Sequence, residues 1–220
     1  MQKVVGSSPI IRSSKALKRA FSLLVLTGVA SFWTAILVAA ALEPGYTHRR
    51  DYISTLAAHG AAHPELAILA IVAVAAAMLV ASLLAWRLSR LGSVAIALAG
   101  VGFAVAAFTR LDCPNGAAGC GLGGRFEISG ATEVGHWSAT TVASILLIAG
   151  IALIGLALLR RGQRIAGAAT LAVAMVTAAS FLATGGDSPG VSQRIGIVVA
   201  TAWLAVVAVS AAVRPGDPAR

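Results

Sequence analysis

The chain has 220 residues, of which 58% are hydrophobic and only 11% charged, and its mean hydropathy is +0.88. A soluble domain carries about 25% charged residues, so this composition excludes an ordinary cytosolic enzyme, a disordered chain and a nucleic-acid-binding module. The net charge of +9 answers first to membrane topology on so apolar a chain, and needs no nucleic acid to explain it.

Six stretches are long and apolar enough to cross a bilayer core, which takes ~20 helical residues. They fall at about 20–42, 64–86, 91–109, 136–159, 165–184 and 193–213. No ten-residue alternation of a transmembrane barrel is present, so the expected fold is all-α, a bundle of six transmembrane helices. A basic tail at 1–19 precedes this 20–213 domain, and a short tail at 214–220 follows it. The first span carries Val38-Ala39-Ala40, which resembles a signal-peptide cleavage site. Its apolar run is longer than the 7–15 residues or so of a cleaved signal, so it reads as a retained helix.

Charge sorts by side. Lys3, Arg12, Lys15, Lys18, Arg19, Arg87, Arg90, Arg160, Arg161, Arg164, Arg214 and Arg220 all fall in the tails and the two short connections. Glu43, Asp51, Glu65, Asp112, Glu127, Glu133 and Asp187 fall on the opposite side. The positive-inside rule then places both termini in the cytoplasm, with anionic lipid attracted to the basic face. The connections 87–90 and 160–164 are tight, whereas 43–63 and 110–135 are long. Long loops in a compact domain are usually functional, which directs attention to the extracytoplasmic side. The glycines and alanines of the spans suit close helix packing, and Trp33, Trp86, Trp137 and Trp203 read mostly as an interfacial belt.

All four histidines and both cysteines lie in or beside the outer loops. Cys113 and Cys120, facing an oxidising compartment and separated by a flexible Pro-Asn-Gly-Ala-Ala-Gly, are expected to form a disulfide. Zinc is the competing reading there, but C-x6-C is not a usual finger spacing. His59 and His63 stand at i, i+4, which on a helix puts two imidazoles on one face. Gly60 occupies the place of a zincin glutamate, and Pro64 suggests that a helix begins only after His63. Asp112 and His136 could complete a zinc set with that pair, Ser54 nearby. Capping, loop hydrogen bonds and interface anchoring are the plainer readings, and no cofactor is expected on them. Arg194 is unusual, because a cation in a helix's first turn opposes the macrodipole. Asp187, Glu133 or Asp112 would be natural partners for it. At least two of Ser54, Asp112, His136 and Arg194 are expected to touch directly, since polar groups left alone at a membrane boundary are costly.

Several segments carry a resemblance. Asp51-Tyr-Ile-Ser-Thr-Leu-Ala-Ala follows the first span, Leu-Asp-Cys-Pro at 111–114 ends the third, His136 opens the fourth, and Gly190-Val-Ser-Gln-Arg194 opens the sixth. Together they resemble a bacterial and archaeal group of six-span proteins, the domain of unknown function 998 family, over about 20–210. The resemblance implies a multi-pass protein of the bacterial or archaeal plasma membrane, without an established activity. It points to Ser54, Asp112, His136 and Arg194 as positions to test. A looser likeness to seven-span zinc hydrolases of the ceramidase type departs from them in span number and in the early position of the His pair.

Three functions compete. The first is a scaffold, lipid-interacting or partner-binding membrane component, its partners membrane lipids together with another protein or a second copy of the chain. The second is a metal-assisted hydrolase of a lipid or lipid-linked substrate, with Ser54, Asp112 and His136 as catalytic candidates and Asp112 and Arg194 as binding ones. The third and least supported is a transporter, because the span interiors lack midplane charge and proline interruptions.

Overall fold

The computed structural model describes residues 9–113 and 130–213, with side chains from residue 15 onward. Its long elements are helices: α1 (Pro9–Leu42), α2 (Pro64–Ala85), α3 (Arg90–Phe108), α4 (Ala131–Arg160), α5 (Arg164–Leu182) and α6 (Pro189–Val213). Two 3₁₀ turns, Ile53–Ala57 and Ala183–Gly185, complete the inventory, and no strand occurs among the described residues. All six helices are long and apolar enough to span a membrane.

Local chemistry fixes most boundaries. Pro64 starts α2, where a missing N–H costs nothing, and Glu65 sits favourably in the first turn. Ser89 caps α3, its hydroxyl accepting the Gly92 N–H at 3.1 Å. Gly162, with φ of 76°, supplies the left-handed residue of the α4–α5 turn. Three helices begin earlier than the apolar pattern predicts: α1 at Pro9, α4 at Ala131 and α6 at Pro189. The pattern marks where hydrocarbon begins, whereas a helix continues past it wherever its backbone bonds do.

Successive helices run antiparallel and pack on one another, and α6 returns to α1 to close a ring. Glycine lets two of these pairs approach closely. A Cβ on Gly92 would lie 2.9 Å from the Gly150 carbonyl, and one on Gly167 the same distance from that of Gly155. Polar bonds close the ring: Ser22 donates to the Ala208 carbonyl at 2.7 Å, and the Trp33 indole to Thr201 at 3.1 Å. Trp203 is buried and donates to Thr170 across α5 at 3.4 Å, so Trp33 and Trp203 join helices rather than form an interfacial belt.

The bundle has two unlike ends. The tail end holds the start of α1, the finish of α6 and the turns at 86–89 and 161–163. The loop end holds segments 43–63, 109–113 and 183–188 and the start of α4.

Candidate functional site at the loop end

The first long loop does not lie over the helix ends. Residues 51–58 are all buried, and the 3₁₀ turn Ile53–Ala57 within them packs against α1, α2 and α6. A plug of backbone pushed between helices carries donors and acceptors that water cannot reach, and each needs a protein partner.

Side chains from two helix ends supply those partners. On one flank Arg194, in the first turns of α6, donates through one nitrogen to the carbonyls of His48 (2.9 Å), Asp51 (2.9 Å) and Gly190 (2.8 Å). Its other terminal nitrogen donates to the Tyr46 hydroxyl, and the guanidinium stands 5.4 Å from the centre of the Tyr46 ring. Gln193 beside it accepts the Ile53 N–H at 2.7 Å. The Gly190 N–H donates to the Arg49 carbonyl at 3.0 Å, and a Cβ at Gly190 would meet the carbonyls of Asp51 and His48 at 2.6 Å. On the other flank Arg110, after α3, donates to the carbonyls of Ala57 and Ala58, both at 2.8 Å, and His59 N–H to that of Leu111 at 2.8 Å.

Within the plug, the buried carboxylate of Asp51 accepts from the Thr47 N–H at 2.5 Å and from the Thr47 hydroxyl at 3.1 Å. The Tyr52 hydroxyl donates to the Thr184 carbonyl at 2.9 Å, fastening the plug to the third loop. Burial pushes the Tyr46 phenol up to about 12, against the opposing pull of Arg194, and burial also raises that of Tyr52.

Arg194 thus finds a different role from the one its sequence position suggests. None of Asp187, Glu133 or Asp112 pairs with it, because plug carbonyls reach the guanidinium first. Asp112 is exposed on the turn after α3 and accepts from the Thr132 hydroxyl at 3.2 Å. That places its charge at the N-terminus of α4, where the helix dipole favours it.

His136 lies in α4 and is 2% exposed. Its Nδ1 stands 3.0 Å from the Ala106 carbonyl and 2.8 Å from that of Thr109. Carbonyls only accept, so a proton belongs on Nδ1, and in the neutral imidazole Nε2 then carries the lone pair. Nε2 is buried and has no hydrogen-bond partner among the described residues. His136 and Ser54 line one small cavity of about 80 Å³, together with Thr140, Gln193 and Thr201.

The structure therefore brings Ser54 and His136 to one cavity wall, with Gln193 beside them, and leaves Asp112 and Arg194 on separate flanks. No hydrogen bond joins any two of the four expected to touch. The zinc set fares similarly. His59 and His63 are exposed and precede α2, so the i, i+4 spacing puts them on no helix face. His63 instead meets Glu65 at 3.3 Å. Among the described residues no three of His, Cys, Asp or Glu come together as a metal site. The expected pairing of Cys113 with Cys120 involves a residue outside the described ones. Sequence reasoning missed Arg110, Tyr46 and Tyr52. The one available signal was the run of small and apolar residues at 52–58, unusual for an exposed loop.

The family model described as "Protein of unknown function (DUF998)" matches residues 26–210. No curated protein and no solved structure matches the chain.

Proposed function

This chain belongs to the DUF998 family of proteins of unknown function, and from that premise we propose that it is a non-catalytic scaffold of the plasma membrane. On this reading both termini are cytoplasmic, and the loop end presents a fixed surface to a protein partner on the extracytoplasmic side. One observation carries it: Arg194 in α6 and Arg110 just after α3 fasten the backbone of segment 48–58 from two sides. Residues on a loop held by a rigid frame bind without the entropy cost of ordering it. His48, Arg49 and Arg50 are the exposed side chains on that pinned backbone, and His59 and His63 follow it.

The test is a photocrosslinking amino acid at position 50 in native membranes, compared with one at position 161. A discrete adduct from position 50 alone, lost in Arg194→Met, is expected. No adduct, or equal adducts from both ends, would overturn the reading. Orientation is tested separately with cysteines introduced at the same positions. An impermeant thiol reagent should reach position 50 from outside and not position 161.

The hydrolase reading keeps one specific observation in its favour. His136 offers an unpartnered Nε2 in the wall that Ser54 shares, and the neutral ring would present its lone pair there, as a general base activating a serine does. A serine-directed fluorophosphonate should leave the wild-type protein unlabelled on the scaffold reading. Labelling abolished by Ser54→Ala would replace that reading with the enzyme.

A further inference from the structure

The tail half of the bundle opens into a cleft of about 750 Å³ between α1, α2, α4, α5 and α6. That size falls in the range of about 300–1,000 Å³ typical of ligand sites. Its walls are hydrocarbon, formed by residues such as Phe21, Leu83, Ile154, Val173 and Val207. Of the few polar side chains there, Thr170 and Trp203 already bond to each other. The interior suits an acyl chain and offers little to a polar ligand.

The mouth is of opposite character. Lys18 of α1, Arg87 in the turn after α2 and Arg161 in the turn after α4 stand around it. Arg161 donates to the Arg87 carbonyl, tying the two turns together. None of the three cations meets a carboxylate among the described residues. The described acids, Glu43, Asp51, Glu65, Asp112, Glu133 and Asp187, all belong to the loop end. Three cations without counter-charge among the described residues therefore ring a hydrocarbon cleft at the level where helices leave the apolar layer.

We propose that this cleft is a binding site for one anionic phospholipid, with an acyl chain between α1, α2, α4, α5 and α6 and the phosphate among Lys18, Arg87 and Arg161. Charge complementarity selects this occupant over a zwitterionic lipid, whose own ammonium group would face the same cations. The site is at the opposite end from the scaffold surface and stands or falls independently of it.

Native mass spectrometry of the full chain in neutral detergent tests it. Phosphatidylglycerol and phosphatidylcholine with identical acyl chains are added in equal amounts. At least ten-fold preferential retention of phosphatidylglycerol is expected, and the triple variant Lys18→Gln, Arg87→Gln, Arg161→Gln should bring the two lipids to parity. Ala202→Phe, which fills the cleft from α6, should abolish retention of both while leaving thermal unfolding intact. If the triple variant does not fold, Arg87→Gln alone should lower the preference at least three-fold. Parity in the wild type would mean that the cleft takes hydrocarbon without regard to headgroup, and would overturn the proposal. So would an undiminished preference in the charge variants, or full retention by folded Ala202→Phe.

Discussion

The two ends of the bundle differ in how they use most of their cations. At the loop end Arg194 and Arg110 donate to backbone carbonyls of the plug. At the tail end Arg161 also donates to a backbone carbonyl, that of Arg87, but the side chains of Lys18 and Arg87 donate to nothing among the described residues. The cause lies in the connections. Tight turns satisfy most of their own backbone, as Leu88 N–H does with the Ala85 carbonyl at 2.8 Å, and leave little for side chains beyond the Arg87 carbonyl that Arg161 reaches. A long loop driven between helices cannot, and an arginine with five fixed donors is well suited to collect its carbonyls. What a cation does in such a bundle thus depends on whether nearby backbone still lacks a donor.

The most severe way to break this contrast is to remove Arg194. Arg194→Met leaves the partly buried carbonyls of Asp51 and Gly190, the exposed one of His48 and the Tyr46 hydroxyl without this donor, and each buried group so orphaned costs about 1–3 kcal/mol. A loss of about 4 kcal/mol in unfolding stability in detergent is expected, with a cysteine at position 54 becoming reactive to thiol reagents. Arg194→Lys should recover only a minor part, since an ammonium cannot serve the same spread of acceptors. If Arg194→Met melts like the wild type, the plug is held by packing alone.

Gly190→Ala comes next. The added Cβ would lie 2.6 Å from two plug carbonyls, both backbone, so the loop must shift to accept it. Overpacking of this kind costs about 1–3 kcal/mol. The same change at Gly185, where a Cβ meets nothing within 4 Å, should be nearly neutral. Thermal unfolding of the two variants side by side measures the difference.

The contrast also shows what could be read from the chain alone. The six helices were legible because each span repeats one signal, apolarity, over some twenty residues. The bundle's polarity was legible because cations and acids separate by connection. The plug was not, because burial of a loop depends on partners distant in sequence: Arg194 meets His48 across 146 positions, and Arg110 meets Ala57 across 53. Arg194 stood out correctly as misplaced against the helix dipole, yet its partners are carbonyls, which every residue carries and no pattern marks. The i, i+4 spacing of His59 and His63 misled for a related reason. Spacing has meaning only on a helix, and Pro64 begins one just beyond the pair.

Alkaline titration gives a smaller effect with a definite sign. Tyr46 and Tyr52 are the only tyrosines in the chain, and both phenols are raised in the folded state. A folded value above the unfolded one means that the folded form holds its proton more tightly. The stabilisation is complete below about pH 10 and is lost as pH rises toward about 12. Phenolate absorbance should therefore appear late and together with loosening of the plug. Tyr46→Phe should remove the larger part of that late titration. Two phenolates appearing near pH 10, with the fold intact, would show that neither ring is held as described.

The smallest expected effect sharpens the comparison most. Arg87→Gln and Lys18→Gln remove cations that make no hydrogen bond or ion pair among the described residues, so stability in neutral detergent should change by no more than about 0.5 kcal/mol. The sign is itself informative. With the described acids confined to the other end, like charges at the tail end repel, and deleting one should stabilise slightly at low ionic strength. That gain should vanish at high salt, where screening acts over about 3 Å at 1 M rather than about 30 Å at 0.01 M. Added phosphatidylglycerol should reverse the order and stabilise the wild type more than either variant, because the cations then have a counter-charge to meet. A large destabilisation by Arg87→Gln in neutral detergent would instead place that side chain in a structural role, and the two ends would no longer differ in how they use their cations.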